Sequence, residues 1–136
     1  MADNLKLEIV TPSSSVLSDD VHYVVFQALQ GQLTILPHHT RLMTQLVPGE
    51  MIICRNGREE FMAVGGGIAK INEDTLSILT DMAISVESID ETKAEEARNR
   101  AAARLREKLS SEEVASVNAA LARSLAQLNV KRRRRR

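Results

Sequence analysis

Apolar and polar side chains alternate along the first 86 residues in the way that half-buried β-strands require. In the stretch LKLEIV, Leu5, Leu7 and Ile9 fall on one face, whereas Lys6 and Glu8 fall on the other. Further short runs typical of β-strands follow: VHYVVFQAL, QLTIL, MIICR, EEFMAV, GIAKI, TLSILT and AISV. Each of these runs is predicted to be a strand.

Residues that favour turns separate the predicted strands, in the segments TPSSS, SDD, QGQ, VPGE, RNGRE and NEDT. The pair Asn56-Gly57, between MIICR and EEFMAV, indicates a tight β-hairpin because both residues tolerate positive φ. Many short strands with no helical pattern between them predict an antiparallel β-sandwich or barrel.

After Val86 the apolar residues recur at helical spacing instead. One series is Ala94, Ala97, Ala101 and Leu105, and the other is Val114, Val117, Leu121, Leu125 and Leu128. The pattern predicts two antiparallel helices over about residues 90–108 and 111–129. The S-x-x-E sequences Ser88–Glu91 and Ser110–Glu113 fit capping boxes at the two helix starts.

The expected fold class is therefore α+β, an N-terminal antiparallel β-sandwich followed by a C-terminal antiparallel two-helix hairpin. We predict a sandwich domain over residues 1–87, a hairpin domain over 88–130 and a basic tail, KRRRRR, over 131–136.

Charge is distributed unevenly between these parts, although the whole chain is formally neutral. Residues 1–87 carry five Lys/Arg and eleven Asp/Glu, a net charge of −6, whereas residues 88–136 carry thirteen and seven, a net charge of +6. This asymmetry indicates that the C-terminal part meets an acidic partner. The single Cys54 fits a reducing compartment, and neither a signal peptide nor a membrane-spanning segment is expected.

Four segments of the chain resemble the epsilon subunit family of rotary, proton-translocating ATP synthases. They are GQLTILPHHTRLMTQLVPG, EEFMAVGGGIAKI, TLSILTDMAI and SIDETKAEEARNRA. They are similar, in the same order, to the family's G-x-L-G-I-L-P-x-H-x-P-L turn, its V-x-G-G segment and strand, and its D-x-x-R-A helix start. Three positions depart from these motifs: Thr34 and Arg41 stand where Gly and Pro are usual, and Lys93 where many members have Arg.

The resemblance implies a non-catalytic rotor subunit of the central stalk. Such a subunit couples the shaft (gamma) subunit to the membrane ring of c subunits, and its C-terminal helices regulate ATP hydrolysis. The implied location is the cytoplasmic face of the bacterial plasma membrane, where the chain would be peripheral and held only through the complex. No resident cofactor is implied.

The resemblance also assigns expected contact residues. The shaft subunit would contact the turn formed by His38, His39, Thr40, Arg41 and Leu42. The membrane ring would contact the turn formed by Gln30, Gly31 and Gln32. Acidic loops of the catalytic beta subunits, which alternate with alpha subunits, would meet Arg98, Arg104 and Lys108 of the hairpin.

Some bacterial members of the resembled family bind regulatory ATP through the D-x-x-R-A helix start and basic residues of both helices. Asp90 and Ala94 match that motif, Lys93 matches in part, and Arg100 and Arg123 align with the basic residues. Lysine lacks the planar fork of arginine, and Gln127 stands where a further arginine is expected. The alternative is a solvated helix face paired internally through Glu96–Arg100, Glu95–Arg98 and Arg104–Glu107.

Three other patterns have both a chemical and a structural interpretation. His38-His39 could form a metal or acid–base site, but adjacent residues in an extended segment point in opposite directions, which favours a shaped surface turn. The glycines 65–67 could cradle a phosphate, but a strand pattern follows them, which favours close strand approach. No catalytic or metal-binding set is predicted.

The arginine tail could bind nucleic acid or a membrane surface, which would make the chain a stand-alone binding module. No aromatic residue is interleaved with the tail, and the sandwich is acidic. We therefore favour a flexible tail directed at the acidic rim of a protein partner, with no nucleic acid. A metal-dependent sandwich enzyme is the remaining alternative.

Overall fold

The computed structural model describes residues 4–134, which form ten strands and two α-helices. The strands are β1 (Leu5–Thr11), β2 (Ser14–Val21), β3 (Tyr23–Ala28), β4 (Gly31–Ile35), β5 (Leu42–Leu46), β6 (Gly49–Arg55), β7 (Arg58–Val64), β8 (Gly67–Asn72), β9 (Thr75–Thr80) and β10 (Ala83–Ser85). A 3₁₀ turn (Val86–Ser88) leads to α1 (Glu91–Arg104) and then α2 (Ser111–Arg134).

The strands pair in the order β10-β7-β6-β3-β5-β8-β9-β1-β2, and β4 pairs with β3 beside this path. The pairings between described strands are antiparallel, except that β1 lies parallel to β9. The sheet encloses an aliphatic core around Phe26, in which the alternating Leu7 and Ile9 of β1 are fully buried. The predicted class, a β-sandwich followed by a two-helix hairpin, is confirmed.

Two strands, β2 and β5, were not predicted from the sequence. Strand β2 covers segments whose Ser and Asp residues indicated turns, and at the sheet edge Val21 is its one fully buried side chain. Because an edge strand with mostly exposed side chains has little apolar alternation, its sequence resembles a loop. Strand β5 is short, and only Thr44 and Leu46 of its five residues are buried.

The two predictions about tight backbone geometry are confirmed. Asn56 and Gly57 have φ of 55° and 73° and connect β6 to β7, with Arg55 opposite Arg58. Positive φ at both central residues matches the twist of a two-residue hairpin. In the glycine run, a Cβ on Gly67 would overlap the carbonyl oxygen of Leu79, so the glycine permits close strand approach.

The first helix is shorter than predicted and has a different cap. Asp90 caps α1, because its carboxylate accepts a hydrogen bond from the Lys93 backbone N–H at 3.1 Å. The predicted cap, Ser88, lies in the preceding 3₁₀ turn. The helix ends at Arg104, four residues before the predicted end, and Lys108 lies in the connecting loop. Exposed loop residues gain no packing energy from continuing the helix.

The second helix begins where predicted but extends further. The Ser110–Glu113 capping box is confirmed, with reciprocal hydrogen bonds of 3.1 and 3.2 Å. Helix α2 continues to Arg134, so the prediction of a flexible tail is wrong for residues 131–134. Arginine is a strong helix former, and these side chains find carboxylates on the same chain. Residues 135–136 of the predicted tail lie outside the described residues.

The capping box makes the start of α2 sensitive to acid. Hydrogen bonds with the Ser110 backbone and side chain, helped by nearby Arg104, hold the pKa of Glu113 below its ordinary value. Because the folded-state pKa is the lower one, this stabilisation is present above the unfolded pKa and is lost as the pH falls through the folded pKa. We expect Ser110→Ala to raise the pKa of Glu113, measured by NMR titration of its carboxyl carbon. Ser111→Ala is the control and should leave that titration unchanged; equal titrations in both variants would contradict the cap.

The helices run antiparallel, because Arg104 pairs with Glu113 at one end and Arg132 pairs with Glu91 at the other. Helix α2 packs on β6 and β7, and a small second apolar cluster lies at this contact. The buried members of this cluster are Ala63, Ile89, Ala126 and Val130.

Candidate interaction surfaces

An apolar strip crosses the outer face of the sheet away from the hairpin. It consists of Met43 on β5, Ile68 on β8 and Leu79 on β9, and these residues are 64%, 45% and 52% exposed. Ile68 lies directly opposite Leu79 in the β8–β9 pairing, and Met43 lies one strand away, diagonal to Ile68. Several large exposed apolar side chains on neighbouring strands mark a candidate protein–protein contact surface.

The strip continues into a shallow groove at the β1 end of the sheet. Val10 and Pro12 line this groove together with Gly67 and Leu79. The close approach permitted by Gly67 brings β8 and β9 together at this point. The strip and groove therefore form one surface across four strands.

The predicted shaft turn is held in shape by an aspartate from a distant hairpin. The Asp74 carboxylate accepts a hydrogen bond from the His38 backbone N–H at 2.5 Å and lies 3.3 Å from His38 Nδ1. These contacts support a positive φ of 67° at His38, which is uncommon for a residue other than glycine. The His39 ring instead contacts the Thr40 carbonyl oxygen at 2.6 Å. The two histidine rings thus contact different groups, the Asp74 carboxylate and the Thr40 carbonyl oxygen.

The turn leads directly into the apolar strip. Thr40 and Arg41 are exposed, whereas Leu42 is half-buried and packs against the core. Met43 follows Leu42 and is the first residue of the strip. The structure thus places the predicted shaft contacts beside an exposed apolar surface, which sequence reasoning missed. In the sequence, the strip corresponds only to one apolar residue at an outward position in each of three strands. Recognising that these residues are neighbours requires the strand register to be known.

The predicted ring contacts lie at the tip of the β3–β4 hairpin. Gln30 accepts a hydrogen bond from the Thr44 hydroxyl at 2.6 Å, and Gln32 accepts one from Gln27 at 3.2 Å. Between them, Gly31 has a φ of 123°. Leu29, beside them, is 68% exposed. The tip therefore presents one apolar side chain flanked by ordered amides.

The residues predicted to bind ATP are spread over both helices. Arg100 is exposed on α1, and the helical rise places it about 15 Å along the axis from Asp90. Ala94 of α1 is buried. The Arg123 guanidinium of α2 forms a 2.9 Å ion pair with Asp81 of the sandwich. A phosphate would therefore compete with Asp81 for Arg123. The ATP site stays a prediction.

The residues predicted to meet acidic partner loops are in part paired internally. Arg98 lies 3.7 Å from Glu95, as the helical spacing indicated. Arg104 contacts Glu113 of α2 at 3.5 Å, so the structure pairs it across the hairpin rather than with Glu107 of its own segment. Lys108 is exposed in the loop between the helices. Arg104 and Lys108 lie at the loop end of the helical hairpin, whereas Arg98 lies in the middle of α1.

The described residues contain no group of three or more His, Cys, Asp or Glu side chains placed to hold a metal ion. Over residues 4–134, no helix is long and apolar enough to cross a membrane. The described surfaces that could contact another molecule are the apolar strip, the tip of the β3–β4 hairpin and the basic faces of the helices. The fold and these surfaces define an interaction subunit, built from a sandwich adaptor and a docked helical hairpin.

Two family models together cover almost the whole chain. The ATP synthase, Delta/Epsilon chain, beta-sandwich domain matches residues 4–86, and the corresponding long alpha-helix domain matches residues 87–132. The chain belongs to the ATP synthase delta/epsilon family and is a non-catalytic stalk subunit, as the sequence motifs predicted.

Individual relatives agree with this assignment. The chain is 38% identical over 131 residues to an ATP synthase epsilon chain of Herpetosiphon aurantiacus, covering 96% of each chain. It is 39% identical over 133 residues to an ATP synthase epsilon chain of Dehalococcoides mccartyi, covering 96% of this chain and 94% of that one.

The fold is also similar to a chain in the Euglena gracilis mitochondrial ATP synthase structure. The TM-score is 0.73 at 22% identity, and the alignment covers 95% of this chain and 81% of that one. At this identity the likeness concerns the fold.

Proposed function

We propose that this chain is a central-stalk rotor subunit of a proton-driven ATP synthase, which couples the shaft (gamma) subunit to the membrane ring of c subunits. We further propose that its helical hairpin restrains ATP hydrolysis by the assembled enzyme. The observation that carries the coupling role is the exposed apolar strip beside the histidine turn.

The strip is suited to a permanent partner rather than to water. Each of its three large side chains leaves about half its surface exposed on one continuous face. Covering apolar surface contributes about 25 cal/mol for each Å² removed from water. The neighbouring His38, His39, Thr40 and Arg41 supply the polar rim that surrounds the core of a specific interface. This combination supports a shaft contact through His38 to Leu42, extended over Met43, Ile68 and Leu79.

The tip at Gln30, Gly31 and Gln32 is proposed to contact the membrane ring. The Thr44 hydroxyl holds Gln30 from strand β5, which also carries Met43 of the strip. A load on the tip would therefore pass through rigid paired strands to the shaft surface. Membrane association would be peripheral, through the complex, at the cytoplasmic face of a bacterial plasma membrane.

The restraining role is supported by the small contact between hairpin and sandwich. Its apolar part is one cluster centred on Ala63, Ile89, Ala126 and Val130, in which each buried methyl contributes about 0.8 kcal/mol. Both helices contain many strong helix formers, so they can remain helical when undocked. An extended arm would present Arg98, Arg104 and Lys108 to acidic loops of the catalytic beta subunits and their alpha neighbours.

Charge reversal at the rim of the strip tests the shaft contact. We expect Arg41→Glu to weaken binding to the shaft subunit about tenfold, because a rim charge steers association and its reversal introduces repulsion. The measurement is titration calorimetry of the purified chain against the shaft subunit at two salt concentrations. Arg58→Glu, at the exposed β6–β7 turn, is the matched control and should bind normally. Normal affinity for Arg41→Glu would contradict this docking surface.

A further inference from the structure

The last turn of α2 is fastened to the sandwich by one tightly held arginine. Arg134 donates to both carboxylate oxygens of Glu50, from Nε at 2.7 Å and from Nη2 at 2.8 Å. The Glu50 side chain is only 10% exposed, and the Arg134 guanidinium lies 3.9 Å above the Phe61 ring. Two-point pairing and stacking on an aromatic face are the two contacts in which arginine exceeds lysine.

The neighbouring cations fasten the same turn to two other elements. Arg132 lies 2.8 Å from Glu91 and 3.1 Å from Glu95, which ties α2 to the start of α1. Lys131 Nζ donates to the Val86 carbonyl oxygen at 3.0 Å, which ties α2 to the segment that connects the two domains. The sandwich, the connecting segment and α1 therefore all meet at four consecutive residues of α2, counting Arg133, which lies 3.7 Å from Glu50.

These contacts hold the C-terminal end of α2 beside the sandwich, where the other docking contacts are weak. The second apolar cluster, which holds the helical hairpin on the sandwich, is small. The hairpin has a further ion pair to the sandwich, between Arg123 and Asp81, and these side chains are 35% and 39% exposed. Exposed pairs contribute little because water and salt screen them. The pair between Arg134 and the nearly buried Glu50 is screened much less.

We propose that residues 131–134, the C-terminal clasp, form an electrostatic lock that sets how often the hairpin leaves the sandwich. Glu50 is the ion-pair partner of the clasp, and the Phe61 ring is the surface on which Arg134 stacks. The apolar contact alone leaves docking marginal, and the clasp shifts the equilibrium to the docked form. This property belongs to the isolated chain; only its consequence for ATP hydrolysis rests on the proposed function.

The clasp also makes release dependent on competing carboxylates. An acidic protein surface that binds the basic turn removes the same cations that Glu50, Glu91 and Glu95 hold in the docked form. Docking and partner contact are then mutually exclusive uses of one set of charges. Such a device needs no change in the fold of either helix, only exchange of ion-pair partners.

The test measures the distance between spin labels in the full-length chain. Labels at Glu112→Cys and Arg58→Cys, in a Cys54→Ser background, report whether α2 lies on the sandwich; both labelled positions are exposed. We expect one narrow distance for the parent chain. Arg134→Ala and the nearly isosteric Glu50→Gln should each raise the undocked, broadly distributed fraction about tenfold, as expected for loss of a partly buried, two-point charge pair.

The control is Arg106→Ala, which removes an exposed arginine of the connecting loop and should leave the distance unchanged. Combining Arg134→Glu with Glu50→Arg should restore part of the docked fraction. Thermal unfolding of the sandwich, followed in parallel, separates undocking from loss of the fold. Parent-like distances in both Arg134→Ala and Glu50→Gln would overturn the clasp while leaving the rotor proposal intact. If the chain failed to bind the shaft subunit while Arg134→Ala and Glu50→Gln still raised the undocked fraction, the rotor proposal would be overturned and the clasp would stand.

Discussion

Enzyme complexes assembled with a chain that ends at Val86 will hydrolyse ATP faster than complexes with the full chain. The truncation removes the hairpin at the boundary between the two matched family domains, while every strand is retained. The expected increase is about two- to tenfold, which corresponds to about 50–90% of complexes being restrained at rest. The measurement is the steady-state ATP hydrolysis rate per assembled complex.

Two observations are needed to interpret that rate. The first is that the truncated chain still binds the shaft subunit, which we expect because its apolar strip and histidine turn are intact. The assembled complex must also contain its full set of subunits on a native gel. An unchanged rate in an intact complex would remove the restraining role of the hairpin and leave the coupling role of the sandwich.

Replacing Phe26 with alanine will remove a large part of the stability of the sandwich. Phe26 is fully buried and is the largest side chain in the core. Truncation of such a residue costs about 3–5 kcal/mol, through lost transfer energy and the cavity that remains. Domains of this size have only about 5–15 kcal/mol of unfolding free energy. Urea unfolding followed by circular dichroism at strand wavelengths measures the loss.

Phe61→Ala is the matched control, because the same chemical change is made on the outer face of the sheet. The Phe61 ring is half-buried beneath Arg134 and contributes to the hairpin seat rather than to the core. Loss of a cation–π contact costs about 0.5–2 kcal/mol, so this variant should unfold close to the parent midpoint. Equal losses in the two variants would contradict the assignment of Phe26 to the centre of the core.

Local sequence signals predicted much of the fold correctly. The alternating side chains of Leu5 to Ile9, the Asn56-Gly57 turn and the Ser110–Glu113 capping box each specify geometry within a few residues. The signals failed where tertiary context decided the outcome. Strand β2 is formed by pairing with β1 although its composition indicates turns, and α2 continues through its basic end because carboxylates accept those cations.

The surfaces were less accessible to sequence reasoning than the fold. Family motifs identified the turn at His38 to Leu42, but not the aspartate that holds it from 36 residues further along the chain. They also did not identify the strip, because Met43, Ile68 and Leu79 lie on separate strands. Their proximity depends on the registers of the β5–β8 and β8–β9 pairings.

The sequence alone determined the two-part architecture, the Asn56-Gly57 turn, one helix cap and, through its motifs, the family. Those features depend on residues within a turn or two of each other, where side-chain period and backbone preference act directly. The tertiary structure alone decided the apolar strip, the end of α2 and the meeting of Arg134 with Glu50, which are 84 residues apart. Such contacts form only after the core has positioned distant segments, because a lone ion pair cannot offset the entropy of closing so long a loop.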